Sequence, residues 1–201
     1  MKAAHRFLAC VAAALVAGCL SAGERTVQRY HVLEDAGAPA VRAKVARAST
    51  LLVAPPTTSA FYDTQDIAYS RAPGTRAYYQ FHAWTERPGR TLGDLLVARL
   101  EGGGAFRAVA KATGGVQGDL LLNVHLKEFY HDAAAEPGSA RITLTAELID
   151  SARRTLVARR AFSRSTPAPT YDAPGAVQAF NRAVGAVLDD VAAWMDGVAP
   201  R

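Results

Sequence analysis

Residues 120–127 read LLLNVHLK and residues 141–148 read RITLTAEL, and both stretches carry the same period. Leu120, Leu122, Val124 and Leu126 fall on one face, with Asn123, His125 and Lys127 on the other. Ile142, Leu144, Ala146 and Leu148 alternate in the same way with Arg141, Thr143, Thr145 and Glu147. Successive side chains of a strand point to opposite faces, so this pattern describes a sheet with one buried and one wet face, most often antiparallel. The polar stretch Asp150–Arg154 turns the chain into Leu156–Phe162, where adjacent Arg159 and Arg160 suit an edge strand.

Elsewhere in the chain, Tyr30–Leu33, Ile67–Ser70, Ala77–Ala83 and Phe106–Ala110 read as further strands, and Ser49–Ala54 as a buried one stopped by Pro55-Pro56. Leu92, Leu95, Leu96 and Leu100 make one apolar helical stripe between Pro88 and the glycines 102–104. Val177, Phe180, Val184, Val187, Leu188, Val191 and Met195 make a longer one, with Asp172 placed to cap its start, Pro174 in its first turn and Gly197 at its end. The sum is an α+β two-layer domain, a mostly antiparallel sheet of six or seven strands with two amphipathic helices on one face. The domain spans residues 29–198.

Before it the chain has another character. Lys2, His5 and Arg6 precede an apolar run, Phe7–Ala17, too short to span a hydrocarbon core of roughly 30 Å. Basic start, short apolar middle and small residues at the end describe a secretory signal peptide, residues 1–18. Val16-Ala17-Gly18-Cys19 resembles the bacterial lipobox, in which the cysteine thiol receives a diacylglycerol and cleavage falls just before it. Residues 19–28 then form a lipidated tether. Cys10 leaves with the signal, so the mature chain keeps no cysteine for a disulfide, a metal or a nucleophile. One acyl chain holds a protein to a bilayer marginally, and further chains make the anchorage stable. Leu20, where an aspartate would retain such a protein in the inner membrane, points to the outer membrane, with the domain facing the periplasm.

Charge excludes one class of partner. Net charge falls from +5 to +3 because Lys2 and Arg6 leave with the signal, and the arginines are dispersed, which is no nucleic-acid footprint. Catalytic patterns are missing too. His31, His82, His125 and His131 form no His-Glu-x-x-His motif, no Gly-x-Ser-x-Gly elbow is present, and the glycine runs 102–104 and 114–115 lack the Lys-Ser/Thr ending of a phosphate loop. Asp63 and Asp66, with Thr64 and Gln65 between them, read as turn formers. The expectation is a non-enzyme with no metal and no cofactor beyond the covalent lipid on Cys19.

Seven of the sixteen aromatic residues fall within 24 positions: Phe61, Tyr62, Tyr69, Tyr78, Tyr79, Phe81 and Trp84. Strand alternation puts Phe81 in the core with Tyr78 and Trp84 outward, or the reverse. Outward Tyr and Trp, each with an apolar body and a polar tip, mark interfaces.

Tyr30-x-x-Leu33, Leu51-x-Val53, Ile67-x-Tyr69-x-Arg71, Tyr79, Trp84, Pro88, Leu95-Leu96, Leu100 and Phe106 together resemble the ABC-type transport auxiliary lipoproteins, from about Tyr30 to Met195. The family's tyrosine-arginine pair is split here by Ser70. The resemblance implies a non-catalytic lipoprotein working beside an ABC permease, its ATPase and an MCE-domain protein that shields lipids in transit, docking at the outer membrane. Tyr69, Arg71, Tyr78 and Trp84 are then the candidate contacts for partner or lipid, phospholipid a candidate ligand, and a second copy of the chain a candidate partner. The alternatives are a pilotin-like lipoprotein escorting an outer-membrane complex, and a lipid-anchored hydrolase.

Overall fold

The central strand, β7 (Leu120–Asp132), pairs along one edge with β8 (Ser139–Asp150), and β8 pairs with β9 (Thr155–Pro167), all antiparallel. The structure, a computed structural model, describes residues 27–199 except 38, 41, 44 and 114. The signal segment, Cys19 and most of the tether lie outside the described residues.

Along its other edge β7 receives three earlier strands in succession, all parallel. β2 (Arg47–Val53) lies against Leu120–Leu122, β3 (Thr57–Thr58) against His125 and Leu126, and β4 (Asp66–Ser70) against His131 and Asp132. Pro55 and Pro56 have no N–H to donate and sit in the gap between β2 and β3. β6 (Phe106–Lys111) extends the sheet beyond β2 in parallel; β5 (Ala77–Trp84) adds to β4 antiparallel, and β1 (Arg29–His31) to β5 in parallel. The sheet therefore has nine strands and is mixed, larger and less antiparallel than the alternation implied. Alternation reports burial of faces and carries no record of which distant strand lies alongside.

Both helices cover one face. α1 (Pro88–Gly103) starts at a proline, whose missing N–H would be unsatisfied there anyway, and ends at Gly104 in the left-handed region (φ 65°). α2 (Ala173–Val198) is capped by Asp172, whose carboxylate accepts from the Gly175 amide at 2.7 Å. The predicted stripes are the buried ones: Leu92, Leu96 and Leu100 in α1, and Phe180, Val184, Leu188 and Met195 among others in α2. They meet Leu122, Leu126, Ile142, Leu144 and Leu148 from the sheet. Each such side chain contributes about 1.5–3 kcal/mol on leaving water, so this single interface dominates stability.

The central strand carries one irregularity. Leu126 pairs with Leu144 but Glu128 pairs with Thr143, leaving Lys127 as an extra residue in β7. The extra residue inverts the alternation. Leu126 is buried under the helices, and after the bulge the odd-numbered Phe129 and His131 are buried there in its place. A strap, of which residues 33–37, 39, 40, 42 and 43 are described, crosses the helices. Its Glu34 amide donates to Asn181 Oδ1 (3.1 Å), Gly37 lies against Gly185, and the Ala43 amide donates to the Gly103 carbonyl (2.8 Å).

Candidate functional site

The β4–β5 hairpin and its surroundings carry the four predicted contact residues and divide them among three environments. Trp84 is 1% exposed and packs edge-on against Phe129 (5.8 Å between centroids) and Phe180 (5.5 Å). It is a core residue, and its assignment as a contact is corrected. The cause is backbone geometry. Ala68 pairs with Tyr78 and Asp66 with Ala83, so the β5 segment between these pairs is longer than its β4 counterpart and simple alternation fails. Neither of the two expected orientations holds: Tyr78 and Phe81 are both exposed while Trp84 is buried.

Tyr78 belongs to a patch with Phe61. The two rings stack 4.5 Å apart at 11°, and the Tyr78 hydroxyl donates to the Phe61 carbonyl at 2.6 Å. Beside them Arg76 lies over the Tyr130 ring at 3.6 Å, donates through Nε to the Tyr62 hydroxyl at 2.9 Å and reaches Glu128 at 3.5 Å. Tyr130 and Glu128 alternate with the buried Phe129 and His131, which puts this patch on the sheet face away from the helices. Burial opposes the charge of the Arg76 guanidinium, but the Tyr62 hydroxyl bond, with Tyr130 and Glu128 alongside, outweighs it and raises the pKa. A stacked aromatic pair beside a fixed cation is the chemistry of a recognition surface, with flat apolar area and a polar rim.

Tyr69 and Arg71 sit on the helix-side rim. The Arg71 guanidinium lies 5.2 Å above the Tyr69 ring, and Tyr69 rests on Tyr79 (4.7 Å). The Tyr79 hydroxyl is 2.8 Å from Nδ1 of His131, and burial pushes this phenol up to about 12. His131 is fully buried, with Gly138 in the left-handed region (φ 81°) closing over it; a Cβ on that glycine would lie 2.2 Å from His131 Nε2. Nε2 lacks a well-formed hydrogen bond, and burial holds the imidazole below the usual histidine range, opposed by the Pro137 carbonyl and the Asp132 and Asp172 carboxylates.

Tyr69 and Arg71 are thus brought together, Tyr78 is turned to the opposite face, and Trp84 is withdrawn. Sequence reasoning missed Arg76, Glu128 and Tyr130. Their signal was the break in alternation at Lys127-Glu128, after which the apolar position moves from even to odd numbers at Phe129. A groove of about 580 Å³ runs between the C-terminal turns of the helices and Ala40, Arg42 and Ala43 of the strap, with Leu100, Ala105 and Met195 among its apolar walls. Among the described residues no three metal-ligating side chains converge, and no helix is long and apolar enough to cross a membrane.

These features define a two-layer α+β domain whose distinctive surfaces are aromatic and cationic. The family model of the ABC-type transport auxiliary lipoprotein component matches residues 31–192, and the chain belongs to that family. Protein XCC0632 from Xanthomonas campestris shares the fold at 24% identity (TM-score 0.75; 83% of this chain, 96% of that one). An uncharacterized protein does so at 15% identity (TM-score 0.66; 84% and 99%), and the hypothetical protein CT253 from Chlamydia trachomatis at 8% (TM-score 0.51; 76% and 98%). No curated protein matches the sequence.

Proposed function

We propose that this chain is the non-catalytic, lipid-anchored subunit of an MCE-linked lipid transport system, held at the outer membrane through Cys19, which docks the lipid-conducting MCE-domain protein with the Phe61–Tyr78 patch. The observation that carries this reading is the family match over residues 31–192, which makes the chain an auxiliary lipoprotein of ABC-type transport. The exposed stacked pair beside Arg76 supports the choice of surface. Anchorage supports the economy of the arrangement: a tethered domain meets its partner at high effective concentration, so modest contacts suffice. The permease and its ATPase are separate chains in this scheme, and the Tyr69–Arg71 rim is a second, smaller contact for partner or phospholipid.

A photo-crosslinking amino acid placed at Phe61 or Tyr78 in native membranes tests it, with Leu156 at the far end of the sheet as control. Capture of an MCE-domain protein from positions 61 and 78, and not from 156, is expected. Capture of a secretin or a barrel protein instead would establish the pilotin-like alternative. Mass spectrometry of the chain from its native host checks the anchor, with a diacylglycerol expected on the sulfur of an N-terminal Cys19.

A further inference from the structure

The domain's first strand is held with little apolar burial. Val27, Tyr30 and Val32 are 72%, 63% and 53% exposed, and Leu33 is the first side chain of the described residues to enter the core. Beyond the short parallel ladder of Arg29–His31 with His82–Trp84, two further features fasten β1 to β5. The Thr85 amide donates to the His31 carbonyl at 2.8 Å, next to the parallel register of His31 with Trp84. In addition, His31 Nε2 lies 2.8 Å from His82 Nδ1, with the rings stacked 5.2 Å apart at 19°. A hydrogen bond between two imidazoles needs one nitrogen without a proton, and two imidazolium ions have none to offer.

We propose that His31 and His82 form an acid-labile clasp: protonation of both releases β1 from β5 and frees residues 27–32, while the rest of the sheet stays folded.

The surroundings fit a clasp closed at neutral pH. Burial, the largest effect, holds both imidazoles below the usual histidine range; His82 lowers His31 further, and Arg29, on β1, adds positive charge near both rings. Asp172, in the turn before α2, opposes the shift at His82. Tyr79 meets His82 edge-on at 6.4 Å and separates it from His131. Release would lengthen the leash by about 20 Å, taking roughly 3.3–3.6 Å per extended residue. With the lipid on Cys19, acid would let the domain stand farther from the bilayer. That consequence rests on the anchor reading; the clasp does not.

Hydrogen exchange of the Thr85 amide in the full-length chain, normalised to intrinsic rates at each pH, reads the clasp directly. Protection is expected to fall at least tenfold between pH 7.5 and 5, while the amides of Val124 and Leu144 hold theirs. The His82→Gln and His31→Gln variants, which hydrogen-bond but do not titrate, are expected to lose this pH dependence. Constant Thr85 protection in the native chain, or the same fall in both variants, would overturn the clasp. A Cys19 found bare in the native host would remove the anchor reading and leave this result untouched.

Discussion

Arg99 in α1 donates to Asp35 of the strap through two nitrogens, the Nε bond measuring 3.1 Å, and the same guanidinium is ion-paired with Asp189 of α2. One buried cation therefore ties the strap and both helices together.

Removing that cation leaves two carboxylates facing an apolar wall. Losing one partner of a fully buried pair costs about 3–5 kcal/mol. Here the carboxylate side chains are 21% and 45% exposed, and water screens part of the loss. Arg99→Leu is expected to destabilise the domain by ~2–3 kcal/mol, read as a lower urea midpoint with unchanged slope. A loss below about 0.5 kcal/mol would mean that the strap is held by its other contacts without this ion pair.

Trp84 and Tyr78 separate core from contact. Trp84→Ala empties the space between Phe129 and Phe180 and is expected to cost about 3–5 kcal/mol. Tyr78→Ala removes an exposed ring and one hydroxyl bond and is expected to cost roughly 1 kcal/mol or less, while abolishing partner capture. Urea denaturation and crosslinking on the same two variants check both statements. Equal destabilisation would show Tyr78 to be structural.

The same contrast separates what was legible in the chain from what was not. The alternation over residues 120–126 and 142–148 was visible because each strand buries one face against the helices, and both helical stripes for the same reason. The bulge at Lys127 went unread although adjacent Lys127 and Glu128 break the alternation and Phe129 resumes it on odd numbers; Tyr130, amphipathic enough to sit on either face, blurs the inversion. Residues 79–82 hid the placement of Trp84 in the same way. The parallel alignment of β2, β3 and β4 along β7 was invisible because pairing between distant strands depends on topology and leaves no local pattern.

Two glycines of α2 are expected to respond oppositely to the same change. A Cβ at Gly185 would lie 2.5 Å from the Gly37 amide nitrogen and 2.6 Å from its Cα, both backbone atoms that cannot rotate away. Gly185→Ala should lift the strap and cost ~1–3 kcal/mol. At Gly197 nothing lies within 4 Å, so Gly197→Ala should gain about 0.5–1 kcal/mol from helix propensity. Thermal melts should therefore shift down for the first and up for the second. A neutral Gly185→Ala would mean that the strap does not seat on α2.

His131 sets part of the acid response. Its folded pKa lies below the unfolded value, so the unfolded chain takes up a proton first as pH falls. Its contribution is complete above about pH 6.5 and declines as pH drops toward the folded value, with a slope of at most about 1.4 kcal/mol per pH unit. His31 and His82 are lowered too and act in the same window. Urea midpoints from pH 7.5 to 5 should therefore fall less steeply in His131→Phe than in the native chain, without becoming flat. Tyr79→Phe, which removes the phenol but leaves a buried, titrating imidazole, should retain a steeper slope than His131→Phe. An unchanged slope in His131→Phe would show that this histidine does not titrate with unfolding, and would assign the acid response to the pair between β1 and β5.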